Sequence, residues 1–298
     1  MGRRGGSERW VSVRGAAAVA ILALLPTLAW GVHEGKVQIL LLGDSATEAS
    51  IPRKMAPQEP QFEEVLRILL AAEGDLPPTN VINSGVSGEF IRRLLDSGRY
   101  DRAVAKLPGL DYVFIRYGGN DYAKRENFAE NFPKDYRELL ARLRRDHPAA
   151  MLIPTTNIPW GTDLEDETAW PKRTNEIIRG LAAEEKLAFL DLYPRYAAEQ
   201  AKGPNMLNYR RFPLAKIPEK LREVARPYAV YQKGREPFVV VLDNRLDAHF
   251  GSLDGWFSDR HPNLAGYRVI ADETAKFLAP IMRQRRARET RSGGGEGG

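Results

Sequence analysis

Three features of the 298-residue chain predict an α/β fold in three layers, with a parallel sheet between two layers of helix. Short, nearly continuous apolar runs recur, as strands buried on both faces should read. Segments with apolar residues three and four apart lie between them, as helices packing on a sheet require. The two kinds alternate along the chain, which is the rhythm of successive βαβ units.

Residues 37–42 form the first such run, closed by Gly43. Phe62, Val65, Leu66, Leu69 and Leu70 mark one face of a helix that Gly74 and the Pro77-Pro78 pair stop. Residues 80–83 read as a short second strand, and residues 111–116, rich in β-branched and aromatic side chains, as a third. Tyr136, Leu139, Leu140 and Leu143 predict the next helix, with Pro133 in its first turn. Residues 150–153 follow as a strand, Ile177, Ile178 and Leu181 as a helix, and residues 187–192 as a strand. A final helix is expected from about residue 264 to residue 281, capped by Asn263. The domain is expected to span residues 35–283. Residues 199–255 interrupt its rhythm and read as an insertion over one edge of the sheet, with one strand-like run at residues 237–242. Residues 284–298, an arginine cluster running into Gly-rich sequence, are expected to be a disordered tail.

Charge and composition narrow the function. The formal net charge of +5 could point to nucleic acid, but residues 1–31 and residues 283–298 carry +3 each, which leaves −1 for the rest. A nucleic-acid partner is therefore not expected. Arg3, Arg4, Arg9 and Arg14 precede an apolar run at residues 16–30. That run is short for a membrane span, and Ala29-Trp30-Gly31 offers a small-x-small cleavage pattern. Residues 1–31 thus read as a signal peptide or, alternatively, an uncleaved anchor. Either way the domain is expected to be exported, periplasmic or extracellular. The chain has no cysteine, so disulfides, thiolate metal sites and a lipobox are excluded.

The chemistry-bearing residues fall at predicted strand ends, where ligands of open parallel sheets bind. The first strand ends in Gly43-Asp44-Ser45. The second runs into Asn83-Ser84-Gly85-Val86-Ser87-Gly88, and the third into Gly118-Gly119-Asn120-Asp121. Asp259-Arg260-His261-Pro262-Asn263 stands before the last helix. Acyl transfer needs a nucleophile, a base, a carboxylate to orient the base, and donors for the oxyanion, and these positions supply each part.

The four blocks, in this order, resemble the signature of the SGNH (GDSL) hydrolases, and the resemblance spans roughly residues 37–281. It implies the SGNH hydrolase fold, with a flavodoxin-like parallel sheet, and a serine esterase or deacetylase. It implies Ser45 as nucleophile, His261 as general base, and an oxyanion hole from the backbone N–H groups of Ser45 and Gly88 with the Asn120 amide. Asp44 would brace the turn. One departure stands out: the family usually places its acid three residues before the histidine, and that position is Ser258 here. Asp259, two before, would project to the same side as His261 in an extended segment. Asp254 is the second candidate and a Ser–His dyad the third.

Other readings of the same residues remain. Gly43-Asp44-Ser45 could be a capped strand-to-helix turn, Gly118-Gly119 a tight turn, and His261 a polar residue before a helix. Asp247-x-His249 and Asp259-x-His261 raise a metal site, but no further histidine completes a shell, so neither metal nor cofactor is expected. Trp160, Trp170 and Trp256 read as packing before they read as a sugar platform. The expected substrate is a small-molecule or carbohydrate O-acyl ester, most simply an acetyl ester. An O-acyltransferase on the same triad and a non-catalytic binding or assembly protein are the alternatives.

Overall fold

In the computed structural model, residues 35–160, 169–203 and 206–293 are described. Four strands, β1 (Val37–Gly43), β2 (Thr79–Gly85), β3 (Leu110–Arg116) and β4 (Met151–Pro154), form one parallel sheet in the order β2-β1-β3-β4. The alternation of side chains along β1 and β3 sorts the two cores. Ile39, Leu41, Tyr112 and Phe114 face one side, against helices α2 (Phe62–Ala72) and α5 (Leu264–Gly293), α1 being the short turn Ser45–Glu48. Leu40, Leu42, Val113 and Ile115 face the other, against α3 (Phe128–Asp146) and α4 (Trp170–Glu184). Both faces are covered, which is why these strands read as unbroken apolar runs. The fold is the three-layer α/β/α arrangement that the sequence predicts.

Several details differ from expectation. Residues 187–192 make only an isolated parallel bridge, Thr155 to Leu190, because Asp191 accepts from the Thr156 hydroxyl and the Tyr193 N–H and so turns the chain into the helix Tyr193–Gln200. The α3 helix begins at Phe128, with Pro133 inside it, because Phe128 stacks on Phe132 at 4.9 Å and extends the apolar stripe one turn upstream. Helix α5 runs on to Gly293, past its expected end near residue 281. The arginines hold it there: Arg283 pairs with Glu73 and Asp75 at 2.6 Å, and Arg285 with Asp111 at 3.0 Å. Residues 1–34, with the expected signal segment, and residues 294–298 lie outside the described residues. Among the described residues no helix is long and apolar enough to cross a membrane.

The insertion builds an antiparallel sheet of β5 (Arg210–Pro213), β6 (Ala229–Val230) and β7 (Phe238–Val241) in the order β5-β7-β6. It has its own core of Phe212, Ile217, Val239, Phe250 and Trp256. Rather than capping only a sheet edge, its residues Arg211, Pro213 and Gln232 line a cleft together with Ser45 and His261.

Candidate active site

The carboxyl ends of β1, β2 and β3 converge. Asp44 caps α1, its Oδ1 accepting from the Ala46 N–H at 2.9 Å, and Ser45 opens the helix with no intrahelical acceptor for its own N–H. The turn is seated directly on β2. A Cβ on Gly85 would stand 2.2 Å from the Glu48 nitrogen, so only glycine lets the two backbones approach so closely. Just after β3, Gly118 carries φ +138°, which turns the chain into the short helix Gly119–Lys124. That turn brings the Asn120 amide to 3.3 Å from Asp44 Oδ2.

His261 arrives on a loop pinned from several sides. The Asn208 amide donates to the Arg260 carbonyl at 2.6 Å, and the Tyr209 N–H donates to the His261 carbonyl at 3.2 Å. Asn263 caps α5, its side-chain oxygen accepting from the Gly266 N–H at 3.0 Å, while its amide reaches the Leu242 carbonyl at 2.8 Å. The ring is then wedged between Tyr209, stacked at 5.7 Å, and the edge of Trp160 at 4.7 Å.

The result is a continuous relay. Ser45 Oγ lies 2.8 Å from His261 Nε2, and His261 Nδ1 lies 2.7 Å from Asp259 Oδ1. The same Oδ1 accepts from the His261 backbone N–H at 3.1 Å. An ionised carboxylate only accepts, so Nδ1 carries the proton and Nε2 presents its lone pair to the Ser45 hydroxyl. Arg211 Nη2 stands 2.8 Å from Asp259 Oδ2 as an ion pair without the alignment of a hydrogen bond. Burial pushes the Asp259 carboxyl up, but the His261 ring and the Arg211 guanidinium outweigh it and hold the group below its ordinary value. Burial likewise raises Asp44, offset in part by the Ala46 N–H and the Arg116 guanidinium.

Of the sequence candidates, Ser45, His261 and Asp259 are thus brought into contact. Asp254 is exposed on the turn before them. Gly88, at φ +76°, and Asn120 both reach the space around Ser45, Gly88 along a wide cleft and Asn120 in a narrower chamber. The other serines nearby are engaged elsewhere: Arg99 donates to Ser84 Oγ at 3.0 Å, and the Ser87 hydroxyl donates to Glu48. Asp247 is taken by Arg210 at 2.6 Å and by the Trp256 indole N–H at 2.8 Å, in the insertion. The tryptophans divide. Trp256 is buried in the insertion core, whereas Trp160 and Trp170 wall the chamber with Tyr122 and Ile158. Sequence reasoning missed Tyr209 and Arg211, because the start of β5 and the residue before it contribute them across a gap of about fifty residues and no local pattern ties them to His261.

A profile of the GDSL-like lipase/acylhydrolase family matches residues 41–212. Among curated proteins no sequence match is found. Among solved structures, the chain resembles a mutant of Axe2, an acetyl-xylooligosaccharide esterase from Geobacillus stearmophilus, with 16% identity and a TM-score of 0.51 over 82% of this chain and 95% of that one. It also resembles LAE5, an alpha/beta hydrolase enzyme from the metagenome of Lake Arreo, Spain, with 18% identity and a TM-score of 0.50 over 82% of this chain and 95% of that one. At these identities the likeness speaks for the fold alone.

Proposed function

The chain belongs to the GDSL-like lipase/acylhydrolase family and is a carboxylic ester hydrolase, and from that premise we propose that it is an exported serine esterase acting on short O-acyl groups, acetyl esters of carbohydrate among them. The observation that carries the reading is the unbroken contact from Ser45 Oγ through the His261 ring to Asp259.

Ser45 attacks the ester carbonyl as His261 Nε2 takes its proton, and Asp259 stabilises the imidazolium that results. Negative charge on the former carbonyl oxygen is met by the N–H groups of Ser45 and Gly88 and by the Asn120 amide, each such donor lowering the barrier by on the order of 3 kcal/mol. His261 returns the proton to the leaving alcohol. Water, activated by the same base, then releases the acid from Ser45. An acceptor sugar hydroxyl in place of that water would make the reaction an acyl transfer. The structural neighbour described as an acetyl-xylooligosaccharide esterase supports a carbohydrate ester, and the small aromatic chamber beside Ser45 supports a short acyl group.

Ser45→Ala should lower hydrolysis of 4-nitrophenyl acetate by at least about 10⁴-fold and abolish fluorophosphonate labelling. A Ser45→Ala protein that still labels would remove the central assignment. Export is supported by the arginines and apolar run of the N-terminus. Sequencing of the mature N-terminus should give Val32, and an intact Met1 in the membrane fraction would favour an anchor instead.

A further inference from the structure

We propose that the wide cleft beside Ser45 is a cationic subsite for the alcohol half of the substrate, so that the preferred esters are acylated alcohols bearing carboxylate or phosphate, such as an acidic glycan. The inference rests on the esterase reading. Ser45 and His261 stand between two unlike spaces. One is a chamber of about 260 Å³ walled by Trp160, Trp170, Tyr122 and Ile158. Its size and apolar walls suit a short acyl chain. The other is an open cleft of about 790 Å³, roomy enough for an extended alcohol.

Charge distinguishes the cleft. Lys54, Arg211 and Arg235 line it against a single acid, Glu236. Lys54 and Arg235 are exposed, and neither side chain has an ion-pair partner among the described residues. Lys124 adds a further cation at one corner, its Nζ 2.8 Å from the Gly88 carbonyl. These groups come from separate parts of the chain: Lys54 from the short helix Ser50–Met55 after the nucleophile turn, Arg211 from β5, and Arg235 from the turn before β7. The chain between its two basic ends carries a net −1, so the cleft is a local reversal of sign. Arg211 already faces Asp259, but Lys54 and Arg235, unpaired in one concavity, repel one another until an anion arrives, and the field they focus raises the local concentration of anionic substrate.

The test compares an O-acetylated oligogalacturonide with an O-acetylated xylooligosaccharide of equal length, and an acetylated sugar phosphate with its neutral parent. Raising NaCl from about 20 to about 500 mM should lower kcat/KM for the anionic esters by about tenfold and for the neutral ones by less than about twofold. Reversing both charges, Lys54→Glu with Arg235→Glu, should lower the anionic-to-neutral ratio of kcat/KM by about tenfold, and the milder Lys54→Gln with Arg235→Gln by about threefold. Loss in only the galacturonide or only the phosphate arm identifies which anion the cleft takes. A ratio that neither salt nor either double variant moves overturns the proposal while leaving the esterase reading intact. If wild type turns over no ester at all, calorimetry with unacetylated oligogalacturonate decides separately. Salt-sensitive binding lost on charge reversal sustains the cleft and sinks the esterase; no binding sinks the cleft.

Discussion

The two oxygens of Asp259 have separate tasks. Oδ1 takes both N–H groups of His261, ring and backbone, while Oδ2 faces the Arg211 guanidinium. With one oxygen held at each end, the carboxylate plane is fixed, and so is the imidazole tautomer that leaves Nε2 free to accept from Ser45. Asp259→Asn puts an amide where only an acceptor serves. Turnover should fall by about 10⁴-fold with the fold intact by circular dichroism, as in triads that lose their tautomer control. Asp254→Asn, on an exposed side chain, should leave kcat/KM within about twofold, because surface substitutions away from partners do little. A crippled Asp254 variant would reverse the assignment. Losses below about tenfold in both variants, near 1.4 kcal/mol of barrier, would mean that Ser45 and His261 work as a dyad.

Between elements, the nucleophile turn depends on how closely α1 sits against β2. An alanine Cβ at Gly85 would meet Glu48 N at 2.2 Å and Thr47 C at 2.7 Å, both backbone atoms that cannot rotate away. The turn must shift, and a displacement of even about 1 Å at a catalytic group can cost on the order of a hundredfold in rate. Gly85→Ala should therefore lower kcat by at least about tenfold while the protein remains folded. Gly180→Ala, in the middle of α4 with open space around it, should leave kcat unchanged and add roughly 0.5–1 kcal/mol of stability. Equal behaviour of the two variants would refute the role of the close approach. The histidine loop depends on contacts between elements in the same way, through Asn208 and Asn263, which tie it to the start of β5 and the end of β7.

At the scale of the molecule, Asp121 couples the site to stability. Its side chain is fully buried, Oδ1 accepts from the Ile91 N–H at 2.9 Å, and Oδ2 meets no partner. Burial, with the Asp44 carboxylate nearby, pushes the group up to about 7. A folded carboxyl raised above its unfolded value keeps a proton that the unfolded chain has released. The folded state is therefore destabilised as pH rises from the unfolded value to the folded one. Asp121→Asn keeps the acceptor for Ile91 without the ionisation. Between pH 5 and pH 7.5 wild type should lose about 2 kcal/mol relative to the variant, read from urea unfolding at each pH. Parallel stability curves for the two proteins would show that Asp121 is ionised throughout.

The sequence by itself determined the layers, the strands that carry the nucleophile and Asn120, and the blocks that hold Ser45, Gly88, Asn120 and His261. Those features rest on local periodicity and on turns that follow each strand, and both are written in neighbouring residues. The contact of Asp259 with His261 was legible too, because alternate residues of an extended segment share a side. Tertiary structure decided the rest. Nothing local announces that Arg211 and Tyr209 would meet the Asp259–His261 pair, that Trp160 and Trp170 would wall a chamber while Trp256 is buried in the insertion, or that the basic end of α5 would find Glu73, Asp75 and Asp111. Each of those outcomes depends on segments distant in sequence being brought together, and the free energy that fixes them comes from contacts that exist only once the sheet and its insertion have assembled.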